Sequence, residues 1–218
     1  MTILEQVDSP GTVYALGLAG ASVVWETADD GGLLPIRDWR ADRVPGDEDL
    51  LARCLGPTLD IGCGPGRLAA ALAGQDVPCL GIDVHPRAVD QARRRGATAL
   101  VRDVFAAIPR AGSWQHVLLA DGNIGIGGDP LRLLARCRTL LAADGTVLLD
   151  LAPDGVGLRR GSVRLRAGDR RSDWFSWAWL DLAGARAVAA ATGLELVGSW
   201  TGGGRQQAEL AVSNCWGV

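Results

Sequence analysis

The stretch LDIGCGPGRLAAAL, Leu59 to Leu72, decides how the chain is read. An apolar dipeptide runs into three alternating glycines, Gly62, Gly64 and Gly66, and an alanine-rich run with helical character follows. Strand, glycine loop and helix in that order form a ligand cradle. Glycine admits positive φ and lets a ligand reach the main chain with no Cβ in the way. The start of the helix adds free N–H groups and a positive dipole end, which suit a carboxylate or phosphate. A dinucleotide fingerprint needs a third glycine at the place Arg67 occupies, so the loop reads D-x-G-x-G-x-G instead.

Working outward, PTLDI (57–61), PCLGID (78–83), ATALVRD (97–103), QHVLLAD (115–121) and GTVLLDLA (145–152) read as buried strands. Helical patterns alternate with them: 66–75, 86–96 with proline at its first turn, and 129–145 behind Asp129 as N-cap. A capped helix over 46–56 precedes the first strand. A helix over 181–193 precedes two strands flanking TGGG, an expected hairpin. This rhythm predicts βαβ units and a parallel sheet with helices on both faces. Asp83 and Asp103 then fall at the carboxyl ends of the second and third strands, the edge where such sheets bind ligands. Asp83 is suited to accept from two ribose hydroxyls. Asp103 is suited to an exocyclic amine, with Val84 and Val104 flanking a ring.

LDIGCGPGR, GIDVHPRAV and VRDVFAAIP resemble the first three motifs of the class I S-adenosylmethionine-dependent methyltransferases, and HVLLADGNIGIGGDP is similar to the fourth-strand region of their small-molecule members. The resemblance covers roughly residues 50–150. It implies a Rossmann-like α/β fold, a seven-stranded sheet in the order 3-2-1-4-5-7-6 with the last strand antiparallel. It also implies S-adenosylmethionine as methyl donor and S-adenosylhomocysteine as product. Asp60, Gly62, Gly64 and Gly66 would frame the methionine moiety, Asp83 the ribose, and Asp103 with Val104 the adenine; Cys63, Arg67, Val84 and Ala120 are the further cofactor-binding candidates. Asp121 and Asn123 are the candidate catalytic residues at the end of the fourth strand, where Asp121 either accepts a proton or holds the cofactor's amino group.

One domain over 1–218 is expected: a cover segment (1–45), a cofactor-binding core (46–152), an inserted flap (153–180) and a closing helix and hairpin (181–218). The insert LRRGSVRLRAGDRRSDWFSWAW (158–179) sets six arginines before Trp174, Phe175, Trp177 and Trp179. Arginines with aromatics suit a planar or anionic substrate. Tyr14, Trp174 and Trp177 are the candidate substrate contacts. His85 stands at the ligand end and His116 at the opposite end, as a structural residue.

The chain of 218 residues has a formal net charge of −3 and contains no lysine, so neither a nucleic-acid surface nor lysine chemistry is expected. Cys54, Cys63, Cys79, Cys137 and Cys215 form no CxxC pair, which points to free thiols, no metal site and a cytoplasmic setting. The longest apolar stretch, 12–25, is too short and glycine-rich to span a bilayer. The Asn/Asp-Pro-Pro-aromatic and Pro-Cys motifs of nucleic-acid base methyltransferases are absent. A small-molecule acceptor, in secondary metabolism, is what remains. Two other readings stand beside it. A nicotinamide-dependent oxidoreductase is disfavoured by the broken fingerprint. A cofactor-binding module without catalysis survives as a rival, because the cofactor side is intact and no convincing base is evident.

Overall fold

The structure is a computed structural model that describes residues 7–28, 31–34 and 36–213; Cys215 lies outside them. The chain opens with β1 (Val7–Asp8), α1 (Pro10–Leu18), β2 (Val24–Glu26), β3 (Gly31–Leu33) and α2 (Ile36–Trp39). Then come α3 (Asp47–Leu51), β4 (Thr58–Ile61), α4 (Arg67–Ala73), β5 (Cys79–Asp83), α5 (Pro86–Arg94) and β6 (Ala99–Val101). After β7 (Trp114–Leu119), a 3-10 helix (Asn123–Gly128) leads into α6 (Pro130–Leu140) and β8 (Leu141–Leu151). The chain ends with β9 (Leu158–Ala167), β10 (Arg170–Ser172), β11 (Phe175–Leu180), α7 (Leu182–Ala191), β12 (Leu194–Gly202) and β13 (Arg205–Val212).

The main sheet runs β12-β13-β8-β7-β4-β5-β6. Ranked along the chain, that is the order 3-2-1-4-5-7-6, and β13 alone runs antiparallel to β8 and β12. Alternation within the central strands shows why both faces are covered. Val117 and Leu119 of β7 pack with Leu133, Leu134 and Ala185 from α6 and α7. Leu118 and Ala120 pack with Leu50, Leu68 and Leu72 from α3 and α4. A strand buried on both sides reads as a continuous apolar run, as HVLLA does. The two-residue turn Gly203–Gly204, at φ +58° and +80°, closes the expected hairpin. No helix among the described residues is long and apolar enough to cross a membrane.

Two expectations are corrected. The helix expected over 129–145 stops at Leu140, and Leu141 is already extended at ψ 147°. LLAADG looks helical, but Leu140 and Leu141 are both buried and β8 pairs with β7 from Leu141 onward, with an irregularity before Thr146. The leading segment and the insert also belong together rather than forming a separate cover and flap. They build a second sheet in the order β1-β10-β9-β2-β3, with β11 on β9, in which Trp25 of β2 sits opposite Leu165 of β9. With α1 and α2 this sheet shares a small core of Val13, Leu18, Val23, Ile36 and Leu165, seated against Ala88 of α5. It caps the carboxyl edge of the main sheet.

Glycines seat the cap and the loop helix. A Cβ at Gly125 would strike the Trp177 ring and the Ala178 carbonyl, and one at Gly128 would lie 2.6 Å from the Ser176 Cβ. Gly66 has φ +84°, and its Cβ would lie 2.6 Å from the Ala92 Cβ on α5. Gly66→Ala therefore carries both left-handed strain and overpacking, about 2–5 kcal/mol together. Gly96→Ala, at φ +90° with nothing within 4 Å, carries strain alone, about 1–2 kcal/mol. Urea unfolding should rank Gly66→Ala well below Gly96→Ala in stability; equal losses would remove the packing argument.

Candidate active site

A cavity of about 600 Å³ lies between the carboxyl edge of the main sheet and the cap. Its floor is the loop after β4. The three alternating glycines there have two different causes. Gly62, at φ +71°, could not carry a Cβ, which would lie 2.7 Å from Asn123 Nδ2. Gly66 faces α5 and is not part of the cavity wall, which corrects its expected contact with the cofactor. Gly64 turns its bare side to the cavity, where the nearest atom to an added Cβ is the Tyr14 hydroxyl at 3.4 Å.

Side chains from neighbouring strands hold the loop in place. Asn123 Nδ2 donates to the Ile61 carbonyl at 2.9 Å and the Gly62 carbonyl at 3.0 Å. Its amide N–H groups are thus spent on positioning the loop, not free for chemistry as expected. Asp83 accepts from Gly64 N–H at 3.1 Å and from His85 N–H at 2.7 Å, one bond on each oxygen. Burial raises its pKa above the ordinary carboxylate value. Each oxygen keeps a lone pair for a ligand hydroxyl. Asp103 accepts from Phe105 N–H at 2.9 Å and reaches the cavity beside Val84 and Val104. Cys63 and Ala120 also line the wall. Burial pushes the Cys63 thiol far up, so it is no nucleophile.

Beneath the loop lies an ion network. Arg67, buried at the start of α4, pairs with Asp47 and, at 2.5 Å, with Asp121. Arg205, at the start of β13, pairs with Asp150 and, at 2.9 Å, with Asp47, and stands 3.5 Å from Asp121. Asp150 also accepts from Asp121 N–H at 2.6 Å and Gln207 Nε2 at 2.9 Å. Burial raises Asp121, outweighing the opposite pull of Arg67 and Arg205. Asp60, at the end of β4, is 2% exposed and lines the cavity. Burial first, and then the nearby Asp121 charge, raise its carboxyl to about 7. Burial of this kind favours the neutral acid.

The cap's contributions differ from the expectation. Tyr14 and Trp177 line the cavity, but Trp174 does not: it precedes β11, is 47% exposed and lies under the Arg164 guanidinium at 4.8 Å. The insert's arginines Arg159, Arg160, Arg164, Arg166 and Arg170 also stay out of the cavity wall. Glu26 takes Arg164 and Arg166 at 2.8 and 2.6 Å, Asp8 takes Arg170 at 2.7 Å, and Asp129 takes Arg160 at 2.8 Å. Arg159 stacks on Trp179 at 4.1 Å. His85 caps α5 by accepting Arg87 N–H at its Nδ1 and meets Tyr14 edge-on. His116, at the far end, bonds Thr146 and accepts from Leu55 N–H.

Sequence reading missed Arg205, Asp150 and the role of Asp47. Asp150 was visible as a lone acid inside the apolar run VLLDLA. Arg205 gave no signal, because only the hairpin fold brings it under β7.

These residues fit an adenosyl amino acid: a bare Gly64, free lone pairs on Asp83 for hydroxyls, and a buried acid at Asp60 for an ammonium. Comparison with known proteins bears on the fold. Residues 58–145 match the family model for a methyltransferase domain. No curated protein matches the chain by sequence. Among solved structures, a SAM-dependent methyltransferase from Bacteroides fragilis, in complex with S-adenosyl-L-homocysteine, is similar at TM-score 0.78 and 22% identity over 98% of each chain. The CcbJ methyltransferase from Streptomyces caelestis is similar at TM-score 0.60 and 16% identity, over 81% of this chain and 94% of that one. Magnesium protoporphyrin IX methyltransferase from Synechocystis, with SAM bound, is similar at TM-score 0.56 and 16% identity, over 77% of this chain and 78% of that one. Residues 58–145, less than half of the chain, thus match a methyltransferase-domain model, and the fold as a whole is shared with solved SAM-dependent methyltransferases.

Proposed function

We propose that the chain methylates a small molecule held beneath the cap, and that cap and core act as one domain. The observation that carries this reading is the cavity itself, roofed by the second sheet and continuous with the glycine loop. A bound S-adenosylmethionine supplies an electrophilic methyl group for in-line displacement. Asp83 accepts from the ribose hydroxyls and holds Gly64 in register with them. Asp60, with Asp121 beside it, holds the ammonium end. Asp103, Val84 and Val104 border the adenine. Tyr14 closes over Gly64 and excludes water.

The reading favours alignment over base catalysis. Asp121 is tied to Arg67, and His85 Nδ1 is engaged by the backbone of α5. Proximity and orientation alone account for large rate factors in such displacements.

Asp83→Ala removes a charge-assisted acceptor, a loss of about 1.5–3 kcal/mol. S-adenosylhomocysteine affinity should fall about ten- to a hundredfold by calorimetry. Asp83→Asn should fare little better, since its amide NH₂ must face either the Gly64 or the His85 N–H. Wild-type affinity in both variants would remove Asp83 from the ribose site.

Asp60 gives the pH dependence a sign. Its raised carboxyl is neutral below about pH 7 and charged above, so binding of an ammonium group draws a proton off it. S-adenosylhomocysteine affinity should rise with pH up to about 7 and level off above it, with proton release below that pH seen calorimetrically in buffers of different ionisation heat; Asp60→Asn should abolish the release. A release unchanged in Asp60→Asn would contradict the assignment.

Asp121→Asn separates the two roles of that residue. Cofactor affinity should weaken while turnover at saturating cofactor stays within about tenfold of wild type. General-base loss would instead cut turnover about 10²–10⁴-fold at unchanged affinity, and that result would overturn the alignment reading.

A further inference from the structure

We infer that the acceptor is an uncharged molecule bearing an aromatic ring, a statement that rests on the small-molecule reading above. The charged side chains lining the cavity, among the described residues, all come from the main sheet's edge: Asp60, Arg67, Asp83, His85, Arg102, Asp103 and Asp121. The cap contributes none. Its contribution is six aromatic rings, Tyr14, Trp25, Trp39, Phe175, Trp177 and Trp179, with the hydroxyls of Tyr14 and Ser176 as its polar groups apart from the indole N–H donors. The rings form three pairs, Trp25 with Trp179 at 6.0 Å, Phe175 with Trp177 at 6.2 Å and Tyr14 with Trp39 at 6.2 Å.

This lack of charge is built in. The strand β9, which pairs with both ring-bearing strands, carries Arg159, Arg160, Arg164 and Arg166. Alternation sends Arg160, Arg164 and Arg166 to the face away from the cavity, to Asp129 and Glu26, while Arg159, opposite Trp179 in the ladder, lies stacked on that ring outside the cavity wall. Among the described cap residues that line the cavity, a carboxylate or phosphate on the acceptor would find no cation and an ammonium no acid. Arg159 is already stacked on Trp179. An unpaired charge in such a wall is penalised, whereas a flat neutral ring gains stacked or edge-on contact with several rings.

The test is calorimetric and uses the S-adenosylhomocysteine complex of the full chain. The probes are naphthol, naphthoate, naphthylmethylamine and cyclohexanol. Naphthol should bind at least about tenfold tighter than each of the others. Trp177→Ala and Trp25→Leu should each weaken naphthol severalfold while leaving S-adenosylhomocysteine affinity unchanged, which also shows that the variant is folded. The inference is overturned if naphthoate or naphthylmethylamine binds as tightly as naphthol. It is equally overturned if cyclohexanol matches naphthol, or if neither variant weakens naphthol. A wild-type protein that binds naphthol but not S-adenosylhomocysteine would count against the cofactor reading, and the probe series would still decide the acceptor class.

Discussion

The structure turns on the ion network of Arg67, Arg205, Asp47, Asp121 and Asp150. These five side chains come from α4, β13, α3, the end of β7 and β8, so one buried cluster fixes five elements beneath the cavity. At the effective dielectric of such a place a pair in contact attracts by roughly 4 kcal/mol. Removing one member of a buried pair typically costs about 3–5 kcal/mol, because the partner is left unpaired. The hairpin turn is held the same way: Trp200 donates to Gln207, and Gln207 donates to Asp150 and to the Gly46 carbonyl. The network also has a sign. Three carboxylates face two guanidiniums, and Asp60 adds a further acid beside them, so the floor carries surplus negative charge that a cationic ligand neutralises. A chain with a formal charge of −3 thus concentrates acid where a sulfonium and an ammonium would lie.

Above that floor the two ends of the cavity are built on different physics. The core end uses backbone and carboxylates: Gly64 bare, Asp83 pinned by two N–H groups, Asp103 in a local turn. The cap end uses aromatic area. Its seat is the glycine-rich 3-10 helix, where a side chain at Gly125 or Gly128 would push β11 away. One short segment after β7 therefore clamps the cofactor loop through Asn123 and receives the cap through its glycines.

The parts legible in the sequence were those encoded locally. Strand order, the hairpin at TGGG, and Asp83 and Asp103 at strand ends follow from periodicity, turn chemistry and the family resemblance of LDIGCGPGR. The parts that were not legible depend on distant pairing. Nothing local says that Trp25 lies opposite Leu165, or that Arg205 reaches Asp121 and Asp150. The arginine-rich insert misled for the same reason: alternation was visible, but which face met the cavity was set by its partner strands. The glycines of 62–66 look like one feature in the sequence, whereas Gly62 and Gly66 serve packing and Gly64 serves access.

The most direct measurement is a crystal structure of the chain with S-adenosylhomocysteine. The ribose hydroxyls should lie within hydrogen-bonding distance of Asp83, the ammonium group beside Asp60 and Asp121, and the thioether sulfur toward the rings of the cap. A ligand bound with its ribose away from Asp83, or with its amino group away from the acidic floor, would contradict the account.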